Sequence, residues 1–403
     1  FGPFDGLKEG EARAKQTLKV TPFQYYRMTF WAKSDNIAAE GEDYVLILAP
    51  DGKRRYCYEG FRLRPTQDWT QYTLTFNTLE ATEIDFSVGA SLATAGTLWM
   101  DDISIEPAGM LGVLRGPTKP LAITSADGAT VYEEGRDYAE IQMARGGRGG
   151  RGDRGEIEVP AIPGITIPEG SRVKDGETIL ATYFHTARIY FGQVNASLED
   201  PRYVEFMERE VKGVQKVWEP DGFFMGYDEI RVGGWEIQPD GTTKTPGQIL
   251  AENTKRGIEI IRKNAPQARI YTWSDMYTPF HNARPFETRG YYYLVNGNWD
   301  GAWDGLPSDV IVMNWYSPAK DSVKWFADRG NKQVLCGYYD TDDLKANIKQ
   351  WMEVSEGSPG VIGMMYTTWT RNFTHVAEFF QLVKDYPAWV AETPTGESGV
   401  NEK

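Results

Sequence analysis

The chain has 403 residues, of which 41% are hydrophobic and 25% charged, as in a globular protein of two to three domains. Its formal net charge of −14 argues against nucleic acid or an anionic membrane surface as the main partner. No apolar run approaches the ~18 residues of a membrane span, and the sequence from Phe1 onward carries no signal-peptide pattern. We therefore expect a mature or truncated product of a secreted or periplasmic protein.

Residues 1–107 are predicted to form an antiparallel β-sandwich. Short strands are expected at 26–33, 44–48, 69–78, 83–88 and 97–105, with alternating apolar residues such as Tyr72, Leu74 and Phe76. Short alternating strands at regular spacing are typical of sandwiches.

The stretches 25–34, 68–78 and 98–107 resemble the jelly-roll carbohydrate-binding modules that are attached to glycoside hydrolases. Such modules often hold a structural calcium near an acidic pair, which here is Asp101 and Asp102. The alternative is a spacer domain that binds nothing.

Residues 108–178 are predicted to be a connector with a β-hairpin near 131–135. The run 144–156 is rich in glycine and arginine and cannot bury a core, so it is predicted to be a mobile loop. The last residues, 391–403, are predicted to form a flexible tail.

Residues 179–390 are predicted to form a TIM-type (β/α) barrel, complete or incomplete. A strand at 178–185 precedes a helix that Asp200 caps and Pro201 begins, and a capping box at 245–248 opens another helix. Further strands are expected at 222–229, 268–275, 309–315, 333–340 and 360–369. These make about six barrel strands, or seven if 291–295 is one.

The stretch 222–235 carries two adjacent acids, Asp228 and Glu229, at the end of a short apolar strand. Adjacent carboxylates at a buried strand end cost free energy unless they are used. If the strand persists, the two side chains point to opposite faces. One can then donate a proton while the other holds a substrate group.

The later strands also end in aromatic or acidic residues, and strand ends converge on the face of a barrel that carries the active site. Aromatic residues make up 13% of the chain, which suits sugar-binding surfaces as well as aromatic cores. The candidate catalytic and substrate-binding residues are Asp228, Glu229, Trp273, Asp275, Trp315, Tyr338, Asp340, Tyr366 and Trp369.

Other chemistries are not indicated. Cys57 and Cys336 are predicted to lie in different domains without a disulfide, and the three histidines are too widely spaced for a histidine-based zinc site. The sequence has no P-loop, no GxGxxG after a strand and no GxSxG. Apart from the calcium named above, no metal or cofactor is expected.

Over roughly 179–385 the chain resembles the catalytic barrel of glycoside hydrolase family 20, the β-N-acetylhexosaminidases. The resemblance implies that Glu229 is the general acid/base and that Asp228 orients the substrate's 2-acetamido group, which itself attacks the anomeric carbon. It also implies that Tyr338 hydrogen-bonds the acetamido oxygen. The other matching positions, which would line the sugar pocket, are Trp273, Asp275, Trp315, Asp340 and Trp369.

Two other functions fit the same residues. An ordinary two-carboxylate glycosidase would pair Glu229 with Asp275 or Asp340. A non-catalytic glycan-binding protein would keep the aromatic pocket, and an incomplete barrel favours that option. In each case the expected partner is an oligo- or polysaccharide.

Overall fold

The computed structural model describes most of the chain. The described residues are 1–5, 10–39, 44–57, 63–115, 120–141, 164–186, 188–189, 193–194, 196–236, 243–284, 294–316, 320–340 and 343–385. The predicted loop at 144–156 and the predicted tail at 391–403 lie outside these ranges.

Two compact units divide the chain. The first contains Phe1–Asn195 together with Gly290–Leu294, and the second contains Ala196–Arg289 together with Val295–Lys403. Cys57 lies in the first unit and Cys336 in the second, and these two buried cysteines are not joined by a disulfide.

The first unit is built on an antiparallel, β-sandwich-like sheet. Its strands are β1 (Gly10–Lys19), β2 (Tyr25–Ala39), β3 (Val45–Leu48), β4 (Gln67–Asn77) and β5 (Glu83–Pro107). They run in the order β1-β5-β2-β4, and β3 also pairs with β5. Alternate residues of β2, including Met28, Phe30 and Ala32, are fully buried, as the two-residue period of a strand requires.

This sheet differs from the prediction in two strands. β5 is a single strand of 25 residues, where the sequence predicts two strands and a break near Gly89 and Gly96. A Cβ atom on Gly89 would lie 2.0 Å from the carbonyl oxygen of Ala12, so this glycine permits close strand pairing. β1 is an edge strand that exposes Lys15 and Lys19, and its apolar residues at alternate positions are only two alanines and Leu18, a pattern too weak to predict a strand.

Residues 108–185 contain a small core of their own. The strands are β6 (Val113–Leu114), β7 (Ala122–Ser125), β8 (Val131–Tyr132), β9 (Ile179–Thr182) and β10 (Phe184–His185). The buried cluster consists of Met110, Val113, Ile123, Tyr132, Tyr138 and Ile141. β9 pairs antiparallel with β7 and β10 with β6, so the prediction that 178–185 opens the barrel is wrong. Two further short strands, β11 (Arg188–Ile189) and β12 (Gln193–Val194), pair with each other.

The second unit has five α-helices among the described residues, and the first two begin where the sequence predicts. The five are α1 (Pro201–Trp218), α2 (Pro246–Asn264), α3 (Lys320–Asp328), α4 (Leu344–Ser355) and α5 (Val376–Lys384), with a 3₁₀ helix at Ala302–Gly305. The Asp200 side chain caps α1, and Thr245 and Gln248 form the capping box of α2. None of the helices in the described ranges has the length and apolar character needed to cross a bilayer.

A parallel sheet of five strands forms the centre of the second unit. Its strands, in spatial order, are β13 (Gly222–Phe224), β15 (Arg269–Trp273), β17 (Ile311–Tyr316), β18 (Gln333–Tyr338) and β19 (Val361–Thr367). The short strands β14 (Val232–Gly233) and β16 (Leu294–Val295) lie outside this sheet. The described residues therefore form an open sheet and do not close a TIM barrel.

The two faces of the parallel sheet differ. Helices cover one face, where Val323 of α3 and Trp351 of α4 pack against Leu335 of β18. The strand register places Phe224, Trp273, Trp315 and Tyr338 together on the opposite face. Three aromatic candidates, Trp273, Trp315 and Tyr338, are therefore gathered on the face that these helices leave uncovered.

Candidate functional site

A strained turn, the 226–229 loop, follows strand β13. The backbone φ angles of Gly226, Tyr227 and Glu229 are 80°, 63° and 43°, all in the left-handed region. For residues other than glycine this conformation costs roughly 1–2 kcal/mol each. Surrounding contacts must therefore hold the loop in place.

Three hydrogen bonds fix the first half of the loop. The carbonyl oxygen of Gly226 accepts hydrogen bonds from Trp273 N at 3.2 Å and from Thr272 Oγ1 at 2.9 Å. The Tyr227 hydroxyl donates to Asn253 Oδ1 at 2.6 Å. Burial raises the pKa of Tyr227 well above its ordinary value, so this phenol remains a donor.

Asp275 fixes the second half of the loop. Its side chain is fully buried, and Oδ2 accepts from the Glu229 backbone N–H at 2.7 Å and from Asn282 Nδ2 at 2.9 Å. Burial raises the pKa of Asp275 to about 7; these two hydrogen bonds lower it, and the nearby Asp228 and Glu229 carboxylates raise it. Three acidic side chains thus lie close together.

Of these three acids, Asp228 and Glu229 are accessible. Asp228 is exposed, and the Glu229 side chain is 37% exposed. The largely buried guanidinium of Arg231 donates a hydrogen bond to Glu229 Oε2. This contact pairs one oxygen of the accessible Glu229 carboxylate with Arg231.

Four rings form a continuous row along the uncovered face, which we call the aromatic row. The ring centroids of Phe224 and Trp273 are 5.0 Å apart, those of Trp273 and Trp315 5.6 Å, and those of Trp315 and Trp369 5.9 Å. Phe224 and Trp369 at the two ends are 48% and 55% exposed. A row of exposed large rings indicates a binding surface.

Asp340 ties the end of the aromatic row to the sheet. Its carboxylate accepts from the backbone N–H groups of Trp369 and Thr370 at 2.5 Å and 3.0 Å, and from the hydroxyls of Thr368 and Thr370. Burial raises its pKa, but these hydrogen bonds outweigh burial and hold the pKa of Asp340 well below the usual range. Burial and the nearby Asp340 carboxylate raise the pKa of the Tyr338 phenol.

Tyr366 lies on the opposite face of the sheet from the aromatic row. Its ring stacks on Tyr339 with centroids 5.1 Å apart and contacts Phe379 of α5, and its hydroxyl donates to the carbonyl oxygen of Asn372. It therefore belongs to the core on the helix side of the sheet. The strand period distinguishes Tyr366 from its neighbours, but the sequence does not tell which side faces the helices.

Three residues of the site are not among the sequence candidates. Phe224 extends the aromatic row, Arg231 contacts Glu229, and Asn282 donates to Asp275. The sequence could have indicated the contact of Arg231, because this basic residue lies only two positions beyond Glu229. Asn282 has no comparable signal, because the sequence does not show that its side chain turns back to the buried Asp275.

The predicted calcium position in the first unit has few ligands. Asp101 and Asp102 are exposed on β5, and Asp101 Oδ1 accepts the backbone N–H of Asp102 at 2.9 Å. Among the described residues, no group of three or more histidine, cysteine, aspartate or glutamate side chains is placed to hold a metal ion.

Comparisons with known proteins leave the family open. No protein-family model matches the sequence, and no curated protein matches it. A solved structure described as "CBM4 structure and function" matches with 23% identity and a TM-score of 0.20, covering 24% of this chain and 60% of that chain. The chain thus spans about three fifths of that structure's length. A TM-score this low does not define a shared fold, so the geometry of the site carries the functional argument.

Proposed function

We propose that the second unit binds a β-linked glycan along the aromatic row and hydrolyses it at the 226–229 loop, with Glu229 as general acid/base. The observation that carries this proposal is the continuous, partly exposed aromatic row at the carboxyl ends of parallel strands. Trp273 and the carbonyl oxygen of Gly226 join this row to the loop that carries the acids. Flat rings suit the apolar faces of sugars.

In this proposal the two accessible carboxylates have separate roles. Glu229 protonates the leaving oxygen and later takes a proton from water, as retaining glycosidases require. Asp228 accepts a hydrogen bond from a substrate group, which would be the 2-acetamido group if the sugar is an N-acetylhexosamine. The hydroxyl of Tyr338, which lies near Asp340, would reach the same sugar from the uncovered face of the sheet.

The surroundings of the other acids favour substrate assistance over a two-carboxylate mechanism. Asp275 is enclosed, so its carboxylate has no open path to an anomeric carbon. Asp340 already accepts hydrogen bonds from Thr368, Trp369 and Thr370. Neither acid is placed as an exposed nucleophile.

A glycan-binding protein without catalysis is the second candidate, and the contact between Arg231 and Glu229 favours it. While this contact persists, the Arg231 guanidinium occupies Glu229 Oε2, an oxygen that a general acid must present to a leaving group. Glycan binding must therefore separate the two side chains if the chain is an enzyme.

The proposal extends to the fold. We infer that the five parallel strands are part of a (β/α) barrel and that the first unit's sheet belongs to a jelly-roll sandwich. The 226–229 loop follows the carboxyl end of β13, and barrel enzymes carry their active sites at the carboxyl ends of the strands.

A panel of β-linked p-nitrophenyl glycosides, including the N-acetylglucosaminide, tests this function. We expect the wild-type chain to release p-nitrophenol from one sugar class and Glu229→Gln to lose most of that activity. Binding of oligosaccharides without release from any substrate would reject hydrolysis and support the binding protein. A chain that neither binds oligosaccharides nor releases p-nitrophenol would reject both the hydrolase and the binding protein.

A further inference from the structure

We propose that Asp275 is a positioning residue whose gain and loss of a proton controls the 226–229 loop and thereby the placement of Glu229. The effect on catalysis rests on the proposed function, whereas the effect on the loop does not. Asp275 touches the backbone of Glu229 and not a substrate, so it acts through that residue.

The burial of Asp275 isolates the contact from water. Its Oδ2 atom accepts from Glu229 N and Asn282 Nδ2, while Oδ1 is buried with no hydrogen-bond partner among the described residues. A buried acceptor without a partner costs free energy, and a charged one costs more. A proton on Oδ1 would remove the charge and leave both hydrogen bonds to Oδ2 in place.

Charged and titratable groups surround Asp275, so a change in its charge changes the electrostatic forces on them. The carboxylates of Asp228 and Glu229 face it from the loop, Arg231 reaches it through Glu229, and the buried phenol of Tyr277 lies nearby. Burial raises the pKa of Asp275 to about 7. Its ionisation therefore falls in the neutral range, where it places a third negative charge beside Asp228 and Glu229.

The loop is sensitive to this change because its conformation is strained. Glu229 has a φ of 43°, and its N–H bond to Asp275 is the contact that holds this residue's backbone. A hydrogen bond to a carboxylate is stronger than one to a neutral acid. Loss of the proton thus strengthens the hydrogen bond from Glu229 N. The negative charge left on Asp275 at the same time repels the Asp228 and Glu229 side chains.

The amide proton of Glu229 reports on this contact directly. We propose NMR of ¹⁵N-glutamate-labelled protein without any glycan, from about pH 5 to about pH 9. The signal that disappears in Glu229→Gln identifies Glu229. In the wild type its amide proton shift should titrate with a midpoint at about 7. In Asp275→Asn, which keeps an oxygen acceptor but cannot ionise, the shift should be flat.

Two further variants complete the test. Asn282→Ala removes a donor that favours the ionised form of Asp275, so the midpoint should move to higher pH. His281→Gln is the control, because histidine is the other side chain that ordinarily titrates near neutral pH. If Asp275 is the titrating group, this variant should keep the wild-type titration.

A flat Glu229 shift in the wild type, or a titration that persists in Asp275→Asn, would overturn the inference. If Asp275→Asn does not fold, an unchanged midpoint in Asn282→Ala overturns it equally. A wild-type chain that cleaves no glycoside but shows the titration rejects the proposed hydrolysis and leaves this inference standing. A wild-type chain that cleaves glycosides but shows a flat Glu229 amide shift supports the proposed hydrolysis and rejects this inference.

Discussion

The backbone N–H of Glu229 donates a hydrogen bond of 2.7 Å to Oδ2 of Asp275, across 46 positions of sequence. This contact joins an accessible acid on one strand end to a buried acid on the next. It explains how a glutamate with a left-handed backbone stays in place at the edge of the sheet.

Replacing Asp275 by Asn should change how stability depends on pH. The folded-state pKa of Asp275 is raised from 3.8 to about 7, so the folded protein binds this proton more tightly than the unfolded chain. The free energy of unfolding should therefore fall as pH rises between about 4 and 7, at a rate approaching about 1.4 kcal/mol per pH unit. Asp275→Asn should lack this slope and gain stability relative to the wild type as pH rises. Urea unfolding at several pH values measures both curves, and parallel curves would contradict the prediction.

Replacing Asp340 by Asn should have the opposite pH signature. The folded-state pKa of Asp340 is lowered, so its carboxylate contributes stability above the ordinary aspartate pKa and loses it as pH falls below about 4. Asp340→Asn should lower the melting temperature at neutral pH, and the difference should shrink in acid. Asp328→Asn, which removes an exposed ion pair with Lys324, is the control and should change little. An equal loss at both pH values would refute the role of ionised Asp340.

Replacing Trp315 by Ala should weaken glycan binding. Trp315 is in the middle of the aromatic row and contacts both Trp273 and Trp369. Loss of its ring should cost about 1–2 kcal/mol of binding, which corresponds to about 5- to 30-fold in affinity. Trp218→Ala is the matched control because Trp218 is 75% exposed on α1, outside the row. Calorimetric titration with β-linked oligosaccharides compares the two, and equal affinities would argue against the row as the binding surface.

Local sequence signals predict the capped helices well. Asp200 with Pro201, and Thr245 with Gln248, begin helices because their side chains satisfy free backbone N–H groups within one turn. These signals need no information about distant parts of the chain. The aromatic and acidic strand ends are also readable, since parallel strands place their ends at one edge.

Non-local pairing explains what the sequence does not predict. The strand at 179–182 satisfies the sequence pattern of a barrel strand, yet its hydrogen bonds go to Ala122–Ser125. Tyr366 and Tyr338 are both strand-end tyrosines, but only the register shows that Tyr366 faces the helices. The contact of Glu229 with Asp275 depends on a left-handed backbone at a residue that rarely adopts one.

Replacing Asp228 by Asn should discriminate between the two hydrolytic mechanisms. Asp228 is exposed beside Glu229, where its side-chain oxygens can accept a hydrogen bond from an acetamido N–H. If the substrate assists, Asp228→Asn should reduce kcat/KM on N-acetylglucosaminides by at least about tenfold, or 1.4 kcal/mol, and affect glucosides less. Equal losses on both substrate classes would favour the two-carboxylate mechanism.

The most direct measurement of the central claim is the turnover of natural β-linked oligosaccharides by Glu229→Gln. Removal of a general acid should cost at least about 100-fold in kcat with the poor leaving group of a natural glycan, and less with an activated aryl glycoside. Glu259→Gln, at an exposed position on α2, is the control and should match the wild type. A large, leaving-group-dependent loss in Glu229→Gln is the predicted result. Unchanged turnover of natural glycans by Glu229→Gln would contradict the assignment of Glu229 as the acid/base.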